Sequence, residues 1–391
     1  MTMEQDGAYM PLESSLRSFL ETHAEQMIDD LKLLVRHESP STDKALADRC
    51  GRVLLELGRR RIKGDWQVIP QPDVGDVYRL AWGDGGPKLL VLAHYDTVWE
   101  PGALSLREEG DRLYGPGTYD MKGGIVMAIW AVAALQAAVT ALPGRIVALF
   151  TSDEEIGSHR SRALIETEAR EAHATFVLES AVAGTGALKT ARKGVGEYRF
   201  RARGVAAHAG NAYHLGKNAI TALCKQLLRA AALTDESRGT TVNVGVIRGG
   251  VRSNVVPDEA EAWVDVRVEE MDDARALDEA MRSLAGDVDG VSITVEGGLN
   301  RPPMERTPNN ARLFELAQSL GKRYGLDLTE AKAGGGSDGN FTSALGVPTL
   351  DGLGPEGDGA HAVHEHILKG SLVPRTALLA HLLYETLNVS F

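Results

Sequence analysis

Cysteine is scarce in this chain, and a dinucleotide-binding loop is missing. Among 391 residues there are two cysteines, Cys50 and Cys224, which lie far apart and outside any CxxC spacing. Such a pair does not build a disulfide framework, so we expect two reduced thiols that are mostly buried. No G-x-G-x-x-G sequence follows a predicted strand, which leaves dinucleotide binding without support.

Basic charge is also in deficit. The chain has 42 Lys and Arg against 54 Asp and Glu, a formal net charge of −12. This balance argues against nucleic acid or an anionic membrane surface as a partner, although a local pocket for an anionic substrate remains compatible with it. The first residues, MTMEQDGAYMPLESSL, lack the features of a signal peptide, and no run of about 18 apolar residues suggests a membrane span. We therefore expect a cytoplasmic protein.

The length exceeds that of one typical core, so two domains are expected. Helical spacing of apolar residues alternates with short apolar runs that end in polar residues, which is typical of an α/β domain with a central sheet flanked by helices. The predicted helices are 12–36, 45–62, 122–138, 311–323 and 371–387, and the predicted buried strands are 89–98, 145–155 and 174–180.

The pattern changes near residue 190, where half-exposed strands replace buried ones. Strands are predicted at 196–204, 240–250, 259–270 and 291–298, with helices at 216–233 and 272–286. This strand–helix–strand–strand–helix–strand order is that of a ferredoxin-like α+β unit. We therefore predict a discontinuous first domain, 1–191 and 303–391, with a second domain inserted at 192–302.

Residues of the type that bind metal ions occur at the ends of the predicted buried strands and in two glycine-rich segments. Two histidines and three carboxylates can hold a pair of zinc-like ions if one carboxylate bridges them. These candidate ligands are His94, Asp120, Glu155, Glu179 and His361. In the H-x-D sequence that begins at His94, residues i and i+2 point the same way, so Asp96 is placed to orient the ring of His94.

Each candidate has an ordinary structural explanation as well. Asp120 precedes an apolar helix and is placed to cap it. The acidic pair Glu154 and Glu155 ends a predicted buried strand, where one acid would bind metal and its neighbour would act as a general base, unless both belong to a solvated loop.

Three other features of the sequence each have more than one interpretation. His361 shares its loop with His364 and His366, and spacing alone does not choose among the three. His208 reads by itself as a surface histidine. The glycines of AGGGSDGN (333–340) indicate either a close approach of the backbone to a ligand or tight turns.

From about residue 25 to its end, the chain resembles the zinc-dependent exopeptidase and deacylase family, which includes glutamate carboxypeptidase, acetylornithine deacetylase, succinyl-diaminopimelate desuccinylase and aminoacylase. The segments that carry the resemblance are HYDTVW, RLYGPGTYDMKGG, DEEIGSHRSRALIE, VAAHAG and the GAH near the C-terminus. These segments are most similar to the corresponding sequences of the glutamate carboxypeptidase branch. The resemblance implies a zinc-exopeptidase-like catalytic domain with a mixed central sheet and an inserted dimerisation domain.

The resemblance also implies residue roles. One zinc ion would bind His94, Asp120 and Glu179, and the other would bind Asp120, Glu155 and His361, with Asp120 as the bridge. Cobalt or manganese are possible substitutes for zinc. Glu154 would be the general base and Asp96 the support of His94.

Further roles are implied for the inserted domain and the glycine-rich loop. His208 would reach the active site of a partner subunit in a homodimer. Asn254, Arg267 and the glycine loop around Gly336 match positions that hold the carboxylate side of the substrate, and Arg301 matches a carboxylate-binding arginine.

The sequence departs from the family pattern at two positions. Met121 stands where close relatives commonly have a second acid after the bridging aspartate, and the peptide bond between the two residues is often cis in the family. His364 replaces a usual Asp or Asn near His361.

The expected function is that of a dinuclear zinc carboxypeptidase, which releases a C-terminal amino acid, above all glutamate, from small peptides or N-acyl amino acids. An N-acyl-amino-acid deacylase of the acetylornithine deacetylase or aminoacylase type is the alternative. A metal-binding homologue without catalysis is a third hypothesis, but the presence of Glu154 argues against it.

Overall fold

A computed structural model describes residues 11–389 of the chain. Residues 1–10, on which much of the signal-peptide prediction rests, lie outside the described residues. The described chain divides into two compact units. The first unit comprises the residues up to Thr190, Arg306–Ala331 and the residues from Ser337 onward, and the second comprises Ala191–Glu305 and Lys332–Gly336.

The helices and strands are numbered here in chain order. The helices are α1 (Leu12–Thr22), α2 (Ala24–Arg36), α3 (Lys44–Arg61), α4 (Gly123–Ala138), α5 (Arg162–Arg170), α6 (Ala219–Ala231), α7 (Met271–Arg282), α8 (Pro308–Gly321), α9 (Gly339–Ala344) and α10 (Leu372–Thr386). The strands are β1 (Asp65–Ile69), β2 (Val77–Trp82), β3 (Lys88–His94), β4 (Arg107–Glu109), β5 (Arg112–Tyr114), β6 (Arg145–Thr151), β7 (Ala174–Val177), β8 (Leu188–Arg192), β9 (Gly194–Arg203), β10 (Ala207–His208), β11 (Thr241–Gly249), β12 (Val255–Val256), β13 (Glu259–Val268), β14 (Gly286–Val288), β15 (Val291–Arg301), β16 (Glu330–Ala333), β17 (Thr349–Leu350), β18 (Gly357–Asp358) and β19 (His366–Leu368).

The first unit is built around a six-stranded mixed sheet with the order β1-β2-β6-β3-β7-β17. Strand β3 pairs in parallel with β6 and with β7, while β2 pairs antiparallel with β6. Every residue of β3 is buried, as expected for a central strand covered on both faces. Helices on both sides of the sheet complete two apolar clusters.

Helix α4 is apolar on all sides and forms the centre of the larger cluster. The segment Thr118–Ala138 is long and apolar enough to cross a membrane by length and composition, but 83% of its most apolar window is buried inside the protein. The segment includes the charged residues Asp120 and Lys122, so it does not contradict the expectation that no run of about 18 apolar residues is present. Its burial is what the core helix of a soluble protein shows, so the run is weak evidence for a membrane span. A side chain at Gly124 would lie 2.1 Å from the carbonyl oxygen of Leu178, so glycine lets α4 approach the end of β7.

The second unit has a five-stranded antiparallel sheet with the order β11-β13-β9-β15-β14. Its four long strands have the ferredoxin-like order that the sequence predicts, with α6 and α7 in the connections. Apolar residues alternate along β13, where every second side chain from Ala260 to Val268 is buried. These side chains and those of α6 and α7 form a separate core.

The structure differs from the sequence-based expectations in four details. The predicted helix 12–36 is two helices, because the backbone of His23 (φ −109°, ψ 11°) leaves the helical region. Strand β6 ends at Thr151, so the acidic pair lies in a short helical turn, Glu154–Ile156, and not on the strand. Of the two free thiols, Cys50 is buried as expected, whereas Cys224 is exposed.

The fourth difference concerns the glycine-rich loop, which was predicted in the first domain. Residues Lys332–Gly336 belong to the second unit. The backbone N–H of Lys193 donates to the carbonyl of Ala333 at 3.0 Å, and the guanidinium of Arg192 donates to the carbonyl of Gly335 at 3.1 Å. These bonds attach the loop to the start of the inserted unit.

Candidate metal centre

The carboxyl ends of three parallel strands meet at one edge of the sheet in the first unit. In the register of β3 and β6, His94 lies opposite Thr151, and β7 on the other side of β3 ends at Val177. The residues that follow these strands therefore lie close together, as in open α/β sheets generally. This edge carries His94, the Glu154–Ile156 turn and Glu179.

His94 is the most buried histidine of the centre, with 1% of its surface exposed. Its Nε2 atom lies 3.2 Å from Asp120 Oδ1 and 3.3 Å from Glu179 Oε1. Its Nδ1 atom lies 3.3 Å from Asp96 Oδ1, on the other side of the ring. Asp96, the predicted support of His94, thus lies within contact distance of its ring. We call His94, Asp120 and Glu179 the inner group.

Asp120 has one carboxylate oxygen toward each histidine. Its Oδ1 atom faces His94, and its Oδ2 atom lies 3.4 Å from His361 Nε2. The peptide bond between Asp120 and Met121 is cis. A carboxylate with both oxygens directed at separate ligand atoms has the geometry of a bridge between two cations.

The second cluster, which we call the outer group, consists of Asp120, Glu155 and His361. His361 Nε2 lies 3.0 Å from Glu155 Oε2. In each of the two groups the potential ligand atoms all lie within 4.8 Å of one another. Of the three histidines in this loop, only His361 belongs to a group, and its backbone has a left-handed φ of 60°.

The electrostatics of the centre reflect its excess of carboxylates. Hydrogen bonds to Asp120 and Glu155 raise the pKa of His361 to about 11. Burial alone would lower the pKa of His94, but its carboxylate neighbours raise it well above the usual value. Burial raises the pKa of Glu155 to about 7, with the charge of Asp120 adding to the shift. Protons thus compensate part of the negative charge that cations would otherwise neutralise.

One observation tests whether the residues fit a metal ion. Among the described residues, His94 Nε2 is a buried polar atom without a hydrogen-bond partner, although two carboxylate oxygens lie within 3.3 Å of it. Imidazole nitrogen and carboxylate oxygen are ligands that zinc, cobalt and manganese accept. The donor set of both groups therefore fits such an ion.

Asp96 and Ser41, a buried side chain that the sequence does not single out, complete the surroundings of His94. Asp96 accepts the backbone N–H groups of Glu154 and Glu155 at 3.3 and 3.2 Å. It also accepts the hydroxyl of Ser41 at 2.7 Å. A single carboxylate therefore contacts the ring of His94 and holds the turn that carries the acidic pair.

The loop that carries Asp120 rests on a second buried carboxylate, that of Glu365. It accepts the backbone N–H groups of Gly117, Tyr119 and Asp120, and the indole N–H of Trp99. Glu365 lies in the sequence GAHAVHEH, where the neighbouring histidines are the more conspicuous signal. Its contacts are mostly with backbone groups, and such contacts cannot be recognised from the sequence.

The remaining predicted site residues belong to the second unit. His208 is exposed on β10, and its Nδ1 atom accepts the backbone N–H groups of Gly210 and Asn211 at 3.1 and 3.0 Å. The neutral ring therefore carries its hydrogen on Nε2. Asn254 is exposed in the turn before β12, and its carbonyl accepts the N–H of Ala209.

The predicted carboxylate-binding positions have different surroundings. Arg267 on β13 makes two hydrogen bonds of 2.9 Å to Asp265. Arg301 at the end of β15 is buried, and a side chain at Gly336 would lie 2.7 Å from its Cδ atom. Glycine at position 336 therefore allows the loop to pack closely against Arg301 in the same unit.

Known proteins share sequence similarity with this chain over most of its length. The sequence profile of Peptidase family M20/M25/M40 matches residues 90–385, a range that contains all five predicted ligands. Carboxypeptidase G2 of Pseudomonas sp. (strain RS-16) is 32% identical over 309 residues, which cover 76% of this chain and 73% of that protein. Succinyl-diaminopimelate desuccinylase of Bordetella parapertussis is 27% identical over 371 residues, which cover 90% of this chain and 95% of that protein.

A solved structure shares the fold. The YXEP protein of Bacillus subtilis, described as a dinuclear metal-binding peptidase of the M20 family, matches with a TM-score of 0.70 at 16% identity. The match covers 94% of this chain and 99% of that protein. The predicted fold class, an exopeptidase-like mixed sheet with an inserted α+β unit, is confirmed.

Proposed function

The chain belongs to Peptidase family M20/M25/M40, and from this premise we propose that it is a dinuclear zinc carboxypeptidase. Its substrates would be small peptides or N-acyl amino acids with a free carboxylate, and glutamate would be the preferred released residue. The similarity to carboxypeptidase G2 supports this branch of the family. Cobalt and manganese are possible substitutes for zinc.

The shared position of Asp120 between two ligand groups is the observation that carries the proposal. His94 and Glu179 would complete one cation site, and Glu155 and His361 the other. The dinuclear centre named for the Bacillus subtilis protein supports two ions. When bound, such cations would polarise the scissile carbonyl and increase the acidity of a water molecule.

Glu154 is proposed as the general base. Its Oε2 atom lies 3.9 Å from His94 Nε2, so it borders the centre without belonging to either ligand group. The side chain is 11% exposed, which restricts its contact with bulk water. Its carboxylate would take a proton from the attacking water and deliver it to the leaving amine.

The second unit would supply the groups that orient the substrate. His208 would reach the active site of a partner subunit and donate from Nε2 to the developing oxyanion there, a role for which the tautomer set by Gly210 and Asn211 is suited. Asn254, Arg267 and Arg301 would bind the carboxylate side. The backbone around Gly336 would approach the substrate closely.

We also propose a homodimer in the cytoplasm. Strand β11 lies at the edge of its sheet, and Val246 and Ile247 on it are 42% and 49% exposed. Leu228 on α6 is 74% exposed. An apolar edge strand of this kind favours pairing with a second copy of the chain. Two unpaired thiols are compatible with a reducing compartment.

A second candidate function changes the substrate and not the chemistry. The desuccinylase relative covers more of the chain than carboxypeptidase G2 does, 90% against 76%. An N-acyl-amino-acid deacylase would use the same centre and recognise mainly the acyl group.

The test is amino-acid release by zinc-loaded protein from a panel of N-acyl amino acids and dipeptides. A strong dependence on the released residue, with glutamate fastest, supports the carboxypeptidase. Release governed by the acyl group favours the deacylase. Metal content well under two ions per chain, with no hydrolysis after zinc or cobalt is added, would contradict both.

The variant Glu154→Gln tests the assigned chemistry. We expect kcat to fall by about 10²- to 10⁴-fold with metal content retained, since only the proton acceptor is removed. Glu56→Gln, a change at an exposed glutamate of α3, is the matched control and should leave kcat unchanged. Equal inertness of wild type and Glu154→Gln on a broad panel would support a non-catalytic homologue.

A further inference from the structure

Glu365 connects three segments of the first unit that carry the candidate metal centre. Its Oε1 atom accepts the backbone N–H groups of Tyr119 and Asp120 at 3.0 and 3.1 Å. Its Oε2 atom accepts the indole N–H of Trp99 at 2.6 Å and the backbone N–H of Gly117 at 3.2 Å. Four donors therefore converge on one carboxylate, which is 1% exposed.

These four donors come from two segments that precede Glu365 in the chain by about 245 to 266 residues. Trp99 follows the strand end that bears His94, and Gly117 to Asp120 form the loop of the bridging aspartate. Glu365 itself lies four residues after His361. Its backbone also takes part, because the N–H of Gly115 donates to the Glu365 carbonyl at 3.3 Å.

We propose that Glu365 is a positioning residue that fixes the carboxylate of Asp120 between the two cation sites. The inference rests on the proposed dinuclear function. Glu365 has no place in either ligand group, so it acts through the backbone of Asp120 and not on the cations. Because Asp120 serves both groups, a shift of its backbone changes the distances to His94 and His361 together.

At this position both side-chain oxygens must accept hydrogen bonds. In Glu365→Gln, one oxygen is replaced by an NH₂ group of almost the same size, which donates but does not accept. If the amide nitrogen takes the Oε2 position, it faces the donors of Trp99 and Gly117, and two buried N–H groups lose their acceptor. The alternative orientation places it against the N–H groups of Tyr119 and Asp120, with the same penalty.

The test is a cobalt titration of metal-free wild type and Glu365→Gln, followed by the visible spectrum of the bound cobalt and by calorimetry. We expect two cobalt ions in wild type. In the variant we expect about 10- to 100-fold weaker binding of at least one ion, the range seen when groups that support metal ligands are removed. The cobalt spectrum should change as well, measured at a temperature where the variant is fully folded.

Two further variants separate positioning from general stability. Trp99→Phe removes one donor and keeps the carboxylate, so we expect nearly normal cobalt affinity. Combined with Glu365→Gln, it removes one of the two donor conflicts and should restore part of the lost affinity. Glu356→Gln changes a glutamate that lies 3.6 Å from Arg375 and is the matched control, with unchanged cobalt binding expected.

The outcomes distinguish the inference from the function on which it rests. If wild type binds fewer than two cobalt ions and gains no hydrolytic activity, the proposed function is wrong. If wild type binds two ions and Glu365→Gln has the same affinity and spectrum, the positioning role is wrong. A variant that only melts at a lower temperature, with normal cobalt binding, also overturns it.

Discussion

The two ligand groups that share Asp120 differ in their contact with solvent. In the inner group, His94 and Glu179 are 1% and 8% exposed, and the histidine lies at the end of a fully buried strand. In the outer group, the side chain of His361 is 53% exposed and belongs to a loop. The same ligand chemistry is therefore present in one buried and one solvent-accessible setting.

This difference has consequences for how each cation would be held. The inner group is part of the core, so its buried carboxylates would be costly whenever no positive charge neutralises them. In the outer group, a cation would be held in part by the exposed side chain of His361. We infer that the inner site is the tighter one and that the outer site responds more strongly to conditions.

The largest expected effect comes from comparing His94→Ala with His361→Ala. His94→Ala leaves the buried acids of the inner group without their cationic partner and should destabilise the metal-free protein by about 3 kcal/mol or more. His361→Ala removes a half-exposed ring, so we expect a change of less than about 1 kcal/mol. Denaturant unfolding of the metal-free proteins measures both values.

Metal content gives the second part of this comparison. We expect His361→Ala to keep one ion per chain after brief treatment with a chelator, and His94→Ala to keep none. His364→Ala, which changes an exposed histidine of the same loop outside both groups, is the matched control and should resemble wild type. Equal retention by the two ligand variants would show that burial does not distinguish the sites.

The second prediction concerns how the stability of the metal-free protein changes with pH. The ionisable groups of the outer group determine whether stability rises or falls. The pKa of Glu155 is raised to about 7, above the usual carboxyl value, so the folded metal-free protein binds the proton more tightly than the unfolded chain. Stability from this proton is therefore lost as pH rises through about 7. The raised pKa of His361, about 11, acts in the same direction at higher pH.

Cations replace these protons, so the stabilisation that cobalt gives should increase between pH 6 and pH 8. The measurement is the thermal midpoint with and without cobalt at each pH. Glu155→Gln should flatten the response of the metal-free protein in this range. A cobalt-induced shift that is the same at both pH values would contradict the role of Glu155 as a proton-competing ligand.

The buried parts of this centre could be predicted from sequence, and the reason is the strand pattern. Apolar runs that end in His94 and in the acids after β6 and β7 place their polar residues at one sheet edge, whatever the details of the loops. The sequence pattern determines the ligand from the exposed loop less well. Spacing does not choose among His361, His364 and His366, and the structure places only His361 of these three in a ligand group, with a left-handed backbone.

Supporting residues were missed for a different reason. Glu365 and Ser41 bind groups that lie far away in the chain, and most partners of Glu365 are backbone N–H groups that every residue type except proline offers. The sequence also misplaces two boundaries, because apolar periodicity does not resolve where an element ends. The predicted helix 12–36 is interrupted at His23, and strand β6 ends at Thr151. The substrate roles of residues in the second unit remain predictions.

The smallest expected effect tests whether the inner group depends on its supporting hydrogen bonds. Ser41→Ala removes the hydroxyl that donates to Asp96 Oδ2 at 2.7 Å, and Asp96 in turn contacts His94 and the backbone of Glu154. Because Asp96 keeps its other donors, we expect two bound ions, a stability loss of about 1–2 kcal/mol and a fall in kcat of less than about tenfold.

Ser39→Ala is the matched control for this change, since it removes a buried hydroxyl of the same segment that donates to the backbone carbonyl of Tyr95 at 2.5 Å. It should cost similar stability and leave kcat unaltered, because its partner carries no charge near the centre. Steady-state kinetics and denaturant unfolding of both variants decide the matter. If the two serine variants lowered kcat equally, the effect would come from loosening the segment, and the buried inner group would not depend on the Ser41–Asp96 bond.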